Sequence, residues 1–81
     1  MANTTYKDIM SGQRDSNIKF ADLQLLLKRL GFECRIKGDH FIYYRNDIPE
    51  IINIQPQGNK AKLYQVKQIR LLFIKYGITE V

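Results

Sequence analysis

The side chains best suited to catalysis lie in the segment 35–45, where basic residues and a Gly-Asp pair precede His40. His40 is the only histidine in the chain. Histidine is the side-chain type that titrates near neutral pH, which suits it to general acid/base catalysis. Arg35 and Lys37 precede it at strand spacing and would attract phosphate. One interpretation of the segment is therefore an acid/base group beside an anionic substrate.

Two other interpretations of a lone histidine stay open. His40 could be a partly exposed strand residue that only hydrogen-bonds the neighbouring turn, or it could be a metal ligand. A zinc site normally needs further cysteine or histidine ligands. The chain has one cysteine, Cys34, which excludes an intrachain disulfide and is placed as a small buried hydrophobe in an alternating pattern. We therefore predict no metal site and no cofactor.

The charge distribution favours an anionic partner. The 81 residues carry 13 Lys and Arg against 8 Asp and Glu, a formal charge of +5. Residues 51–79 contain no acid but five cations, Lys60, Lys62, Lys67, Arg70 and Lys75. This run indicates either a phosphate-binding surface or a solvated helix face. No apolar run approaches the roughly 20 residues of a membrane span, so we expect a soluble, cytoplasmic protein.

The hydrophobic spacing predicts two principal helices. Phe20, Leu23, Leu27 and Leu30 follow helical spacing and Gly31 can end that helix in a left-handed conformation. A second helix is predicted over residues 63–76, with Gly77 as its terminator. Residues 1–17 form a polar N-terminal segment, in which one short helical turn is expected to dock on the domain of residues 18–81.

Between the helices the period changes to two, which predicts strands. Residues 32–37 alternate, Gly38-Asp39 suits a hairpin turn, and residues 40–45 return as a second strand. Residues 46–49 should break that strand, residues 51–55 form a third, and residues 57–59 form a loop. The predicted fold class is α+β, ordered α-β-β-β-α, with an antiparallel sheet covered on one face by both helices. Alternation alone leaves open which face His40 occupies.

Two stretches, LGFECRIKGDHFIYY and IINIQPQGNKAKLYQVKQIRLLFIKYGI, resemble the HicA family of bacterial toxins over about residues 18–78. The family comprises small mRNA interferases of type II toxin-antitoxin modules. The resemblance implies a fold like a double-stranded-RNA-binding domain and a HicB-type antitoxin partner. Its catalytic histidine belongs to a Gly-Ser-His motif, often followed by a second histidine. Here the motif reads Gly38-Asp39-His40-Phe41, so the resemblance assigns catalysis to His40.

The resemblance implies cleavage of mRNA. We predict a metal-independent mechanism, in which His40 removes the proton of a ribose 2′-hydroxyl. The expected RNA-binding residues are Arg35, Lys37, Lys60, Lys62 and Lys67. Gly38 and Asp39 are expected to modulate the site. Asp39 could repel an approaching phosphate or could orient His40, and both hypotheses stand. Tyr43, Tyr44 and Tyr64 could stack on unpaired bases, although packing in the core or on the sheet is the competing interpretation.

Two alternatives to a nuclease follow from the same residues. Lysines at the start of a final helix also bind phosphates in non-catalytic double-stranded-RNA-binding domains. In that interpretation His40 is incidental. The other alternative is an inactive toxin homologue that still binds its antitoxin.

Overall fold

The computed structural model describes residues 4–80 and has the predicted α+β architecture. Its elements are α1 (Thr5–Ser11), α2 (Phe20–Arg29), β1 (Glu33–Lys37), β2 (His40–Arg45), β3 (Ile48–Ile54), β4 (Pro56–Gln57), β5 (Lys60–Ala61) and α3 (Leu63–Lys75). The order α2, β1, β2, β3, α3 confirms the predicted α-β-β-β-α arrangement, which is that of a double-stranded-RNA-binding domain. Residues 1–3 of the predicted N-terminal segment and residue 81 lie outside the described residues.

The register of the sheet settles the face on which His40 lies. Strands β1, β2 and β3 are antiparallel neighbours in that order. Tyr43 lies opposite Ile52 and both are buried, Tyr43 with 2% of its surface exposed. Because successive strand residues point to opposite faces, His40, Ile42 and Tyr44 lie on the other side of the sheet. We call this side the open face.

Tyr43 is a core residue, so the base-stacking interpretation of this tyrosine is wrong. Burial raises the pKa of Tyr43 to about 12, and its hydroxyl therefore stays protonated. Its neighbour on the same face, Phe41, meets Phe20 of α2 edge-on, with 5.2 Å between the ring centroids. The contact attaches α2 to β2, the middle strand of the sheet.

Residues from both predicted helices and the sheet form one hydrophobic cluster. Leu23 and Leu27 of α2 and Val66 and Phe73 of α3 are almost fully buried in it. The end of α2 follows the predicted chemistry: Gly31 has φ of 91°, and the Phe32 amide donates to the Leu27 carbonyl. The predicted final helix over residues 63–76 is confirmed by α3.

Two details of the sheet differ from the prediction. Strand β3 begins at Ile48 rather than at residue 51, so only Asn46 and Asp47 form the break. Pro49 is accommodated because β3 is an edge strand, where a missing amide proton need not remove a ladder hydrogen bond. The predicted loop at residues 57–59 is instead part of a two-stranded ribbon, in which Gln57 pairs with Lys60.

The N-terminal segment packs on the domain through α1, a helix of seven residues. The Tyr6 ring stacks on Phe73 with 5.7 Å between centroids, and its hydroxyl donates to the Ile78 carbonyl at 2.7 Å. Ile9 is fully buried in the main hydrophobic cluster. The segment is therefore structurally part of the domain.

Two of the five cations in residues 51–79 are paired with acids from elsewhere in the chain. The Arg70 guanidinium makes two hydrogen bonds to the Asp15 carboxylate, at 2.7 and 3.1 Å, and donates to the Ile9 carbonyl at 3.0 Å. Lys75 donates to Glu50 at 2.6 Å. These two side chains therefore have structural partners, and neither is among the residues expected to bind RNA.

The Asp15 carboxylate is a test of the N-terminal attachment, because its side chain is only 8% exposed. Removing one partner of a buried ion pair typically costs about 3–5 kcal/mol. We expect Asp15→Ala to lower the free energy of unfolding by about that amount in urea denaturation. Asp8→Ala is the matched control, because Asp8 lies 4.0 Å from Arg14 on the surface. Its expected cost is at most about 1 kcal/mol, and equal costs would contradict this account.

Glu50 should make part of the stability depend on pH. Hydrogen bonds from Lys75 and Tyr76 lower the pKa of Glu50. A lowered folded-state pKa stabilises the fold above the ordinary glutamate range, and this contribution is lost as the pH falls through the folded value. We expect Glu50→Gln to flatten the decline in urea midpoint between about pH 7 and about pH 3. Glu33→Gln, at an exposed position of β1, should leave the decline unchanged.

Candidate active site

His40 begins β2 directly after the turn formed by Gly38 and Asp39. Gly38 has φ of 62°, a left-handed conformation that favours glycine. Lys37 lies directly opposite His40 across the hairpin, so both side chains belong to the open face. The His40 side chain is 45% exposed, which leaves its ring accessible to a substrate.

Asn53 contacts one nitrogen of the His40 ring. The distance from His40 Nδ1 to Asn53 Oδ1 is 3.0 Å. Asn53 lies opposite Ile42 in the sheet, which places it on the open face beside the histidine. This hydrogen bond connects the first residue of β2 to the far end of β3.

The Gln55 side chain joins three of the predicted site residues. Its amide nitrogen lies 3.1 Å from Asp39 Oδ2 and 3.4 Å from His40 Nε2. Its amide oxygen accepts a hydrogen bond from Lys62 Nζ at 3.2 Å. One carboxamide thus connects a carboxylate, an imidazole and an ammonium group.

Gln65 of α3 holds the strand end that carries these amides. Its side chain is buried, its oxygen accepts the Gln55 backbone N–H at 3.1 Å, and its nitrogen donates to the Asn53 carbonyl at 3.4 Å. The buried amide therefore fixes the backbone of Asn53 and Gln55 relative to α3. Buried polar groups that are satisfied in this way rigidify a structure.

Asp39 places a negative charge beside the histidine. Its Oδ1 lies 3.8 Å from His40 Nε2, and its side chain is 76% exposed. When His40 is protonated, this contact becomes an ion pair. The Asp39 carboxylate also receives the Gln55 hydrogen bond described above, so it has a structural contact as well as an electrostatic effect.

The other predicted RNA-binding residues lie in three places: the open face, the β4–β5 ribbon and α3. Arg35 lies on the open face, with its guanidinium 5.7 Å from the centre of the Tyr44 ring. Lys60 belongs to the β4–β5 ribbon and Lys67 is exposed on α3. Among residues 4–80, no hydrogen bond or ion pair joins either of these lysine side chains to His40, whereas Lys62 is linked to it through Gln55.

Sequence reasoning assigned no role to Asn53, Gln55 or Gln65. A signal for the first two was present: they alternate with Ile52 and Ile54, so both had to lie on the face opposite the buried isoleucines. Asn53, Gln55 and Gln65 also belong to the stretch Asn-x-Gln-Pro-x-Gly-x-Lys-Ala-Lys-x-Tyr-Gln at residues 53–65. Their roles depend on contacts that cross the sheet.

Two further properties of residues 4–80 bear on the predictions. No group of three His, Cys, Asp or Glu side chains among them is placed to hold a metal ion. No helix in the same residues is long and apolar enough to cross a membrane.

The family comparison places the chain in a known class of proteins. The family model described as HicA toxin of bacterial toxin-antitoxin matches residues 20–77, well over half of the chain. The chain belongs to the HicA toxin family, which confirms the resemblance found in the sequence, and membership implies an antitoxin partner. The matched range includes every residue of the site described above. Comparison with curated proteins and with solved structures gives no match.

Proposed function

We propose that this toxin is a metal-independent endoribonuclease that cleaves mRNA, with His40 as its acid/base residue. The observation that carries the proposal is the position of the sole histidine. It is exposed at the start of β2, directly opposite Lys37 and linked through Gln55 to Lys62. An acid/base group beside two cations suits cleavage of an anionic substrate.

In the proposed reaction, His40 accepts the proton of a ribose 2′-hydroxyl. The 2′-oxygen attacks the adjacent phosphorus, the bond from phosphorus to the 5′-oxygen breaks, and a 2′,3′-cyclic phosphate forms. The leaving 5′-oxygen takes a proton from solvent. Phe41, which stands where relatives often have a second histidine, packs against Phe20. The mechanism therefore uses one histidine.

Cations near His40 would stabilise the charge that develops on the phosphate. Lys37 and Lys62 are best placed, and Lys60 lies two residues before Lys62 in the chain. The amino terminus of α3, immediately after Lys62, adds favourable backbone dipoles for a phosphate. Preorganised positive groups of this kind can account for a large part of catalysis.

The open face provides a path for a single strand of RNA away from His40. Arg35 and Tyr44 pair on this face, and Tyr44 is four strand residues from His40, or about 13 Å. Arginine and aromatic side chains commonly bind unpaired bases by stacking. Because the His40 side chain is 45% exposed on the surface of the sheet, we expect weak sequence preference in RNA cleavage. The proposed mRNA substrate also places the protein in the cytoplasm.

A HicB-type antitoxin would neutralise the toxin by covering this site.

One observation favours the alternative of an inactive homologue that still binds an antitoxin. The exposed Asp39 carboxylate lies where the substrate phosphate would approach, 3.8 Å from His40 Nε2. Repulsion between this carboxylate and a substrate phosphate would weaken phosphate binding unless Lys37 and Lys62 offset it.

The decisive experiment is cleavage of an RNA containing single-stranded regions by purified wild-type and His40→Ala protein in EDTA. We expect cleavage by the wild type with cyclic phosphate ends, identified by mass spectrometry. The variant should lose at least about 10²-fold in rate because its general base is gone. DNA of the same sequence, which lacks the 2′-hydroxyl, should stay intact. Expression of the wild type, but not of the variant, should arrest growth.

The alternatives give different results in that experiment. No cleavage by either protein, with RNA binding retained, would indicate a non-catalytic RNA-binding module. No cleavage and no RNA binding, with tight binding of an antitoxin, would indicate an inactive homologue. Cleavage that disappears in EDTA would contradict the metal-independent mechanism.

A pair of lysine variants tests which cations serve the reaction. Lys62→Met should lower the RNA cleavage rate by about 10²-fold, the typical cost of removing one preorganised positive group. Lys67→Met is the matched control on the exposed surface of α3. It should only weaken RNA binding and reduce the salt dependence of binding by about one unit of slope. Equal losses of rate in both variants would place the reacting phosphate along α3 instead.

A further inference from the structure

The tautomer of His40 follows from the partners of its two ring nitrogens. In a neutral imidazole one nitrogen donates a hydrogen bond and the other accepts one. Which nitrogen carries the proton is set by the hydrogen bonds that the ring makes. Only a nitrogen without the proton can act as a general base.

The orientation of the Gln55 amide is set by charged partners at both of its ends. Lys62 can only donate, and its Nζ lies 3.2 Å from Gln55 Oε1. Asp39 in its ionised form can only accept, and its Oδ2 lies 3.1 Å from Gln55 Nε2. In the reversed orientation, the amide NH₂ would face the Lys62 ammonium group and the amide oxygen would face the Asp39 carboxylate, so neither hydrogen bond could form. The Gln55 nitrogen is therefore held toward His40.

This orientation determines what His40 and Asn53 must do. The Gln55 nitrogen is a donor, so its contact with His40 Nε2 at 3.4 Å is a hydrogen bond only when Nε2 accepts and does not carry the proton. The proton then lies on Nδ1, which requires an acceptor. Asn53 provides it through Oδ1 at 3.0 Å. Both contacts thus select the same tautomer.

We infer that Asn53 and Gln55 are positioning residues that hold neutral His40 with its proton on Nδ1, so that Nε2 is the base. The catalytic part of this inference rests on the proposed function, whereas the tautomer does not. The Gln55 contact at 3.4 Å is long and weak, so a ribose hydroxyl can replace it. After the proton moves to Nε2, Nδ1 still donates to Asn53 and Nε2 faces Asp39.

The single histidine makes the tautomer directly measurable. A long-range ¹H–¹⁵N spectrum of the full chain contains signals from one imidazole only. It is recorded at a pH above which the nitrogen shifts no longer change, so that the ring is neutral. In the wild type we expect a protonated-type shift for Nδ1 and an unprotonated-type shift for Nε2. The reverse assignment, or an equal mixture, would overturn the inference.

Variants at the exposed position 53 separate positioning from folding. Asn53→Leu has a similar volume but no acceptor, so its spectrum should show a mixture of tautomers. Asn53→Asp retains an acceptor and should restore the wild-type shifts. In RNA cleavage, Asn53→Leu should lower kcat by up to about 10²-fold while KM changes little. Unchanged nitrogen shifts in Asn53→Leu would contradict the role of Asn53.

Gln55→Glu tests the contact between the Gln55 amide and His40 Nε2. Its carboxylate can only accept, so it should draw the proton toward Nε2 and reverse the shifts. Unchanged shifts in this variant would remove Gln55 from the inference. Failure of the proposed function is distinguishable: an inactive wild type with the expected tautomer would refute cleavage but support positioning. An active wild type with the proton on Nε2 would support cleavage but refute positioning by Asn53 and Gln55.

Discussion

The burial of Tyr43 in β2 is the constraint on which the site depends. Strand residues alternate between faces, so a slip of one residue would exchange the core residues of β2 for His40 and its neighbours. Tyr43 opposite Ile52 in the core fixes the register of both strands at once. His40 and Asn53 are thereby brought to the same exposed face. The accessibility of the histidine is therefore a consequence of packing on the opposite side of the sheet.

The site is organised by neutral amides between charged groups. Gln55 connects Asp39, His40 and Lys62, and the buried Gln65 fixes the backbone of the strand end that carries it. Asp39 and Lys62 each permit only one orientation of the Gln55 amide, so its hydrogen bonds have a defined direction. A small domain buries a limited fraction of its surface. Here hydrogen bonds on the surface of the sheet, supported by one buried amide, order the side chains around His40.

The tertiary structure also decides which cations of the chain are paired with acids. Residues 51–79 contain no acid, yet Arg70 is paired with Asp15 and Lys75 with Glu50. One of these pairs attaches the N-terminal segment to α3, and the other links α3 to the edge of the sheet. Lys37 and Lys62 lie beside His40 instead. Two cations of this run thus stabilise the fold, whereas Lys62 is linked to the histidine through Gln55.

The sequence by itself determined the order of α2, the three strands of the main sheet and α3, the hairpin turn at Gly38-Asp39, and His40 as the candidate acid/base residue. These depend on short-range properties: hydrophobic period, glycine conformation and the chemistry of one side chain. Only the tertiary structure decided the face of His40 and the roles of its partners. Asn53 and Gln55 are 13 and 15 residues from His40, and Asp15 is 55 residues from Arg70. Such contacts depend on strand register and helix docking, which no local pattern specifies.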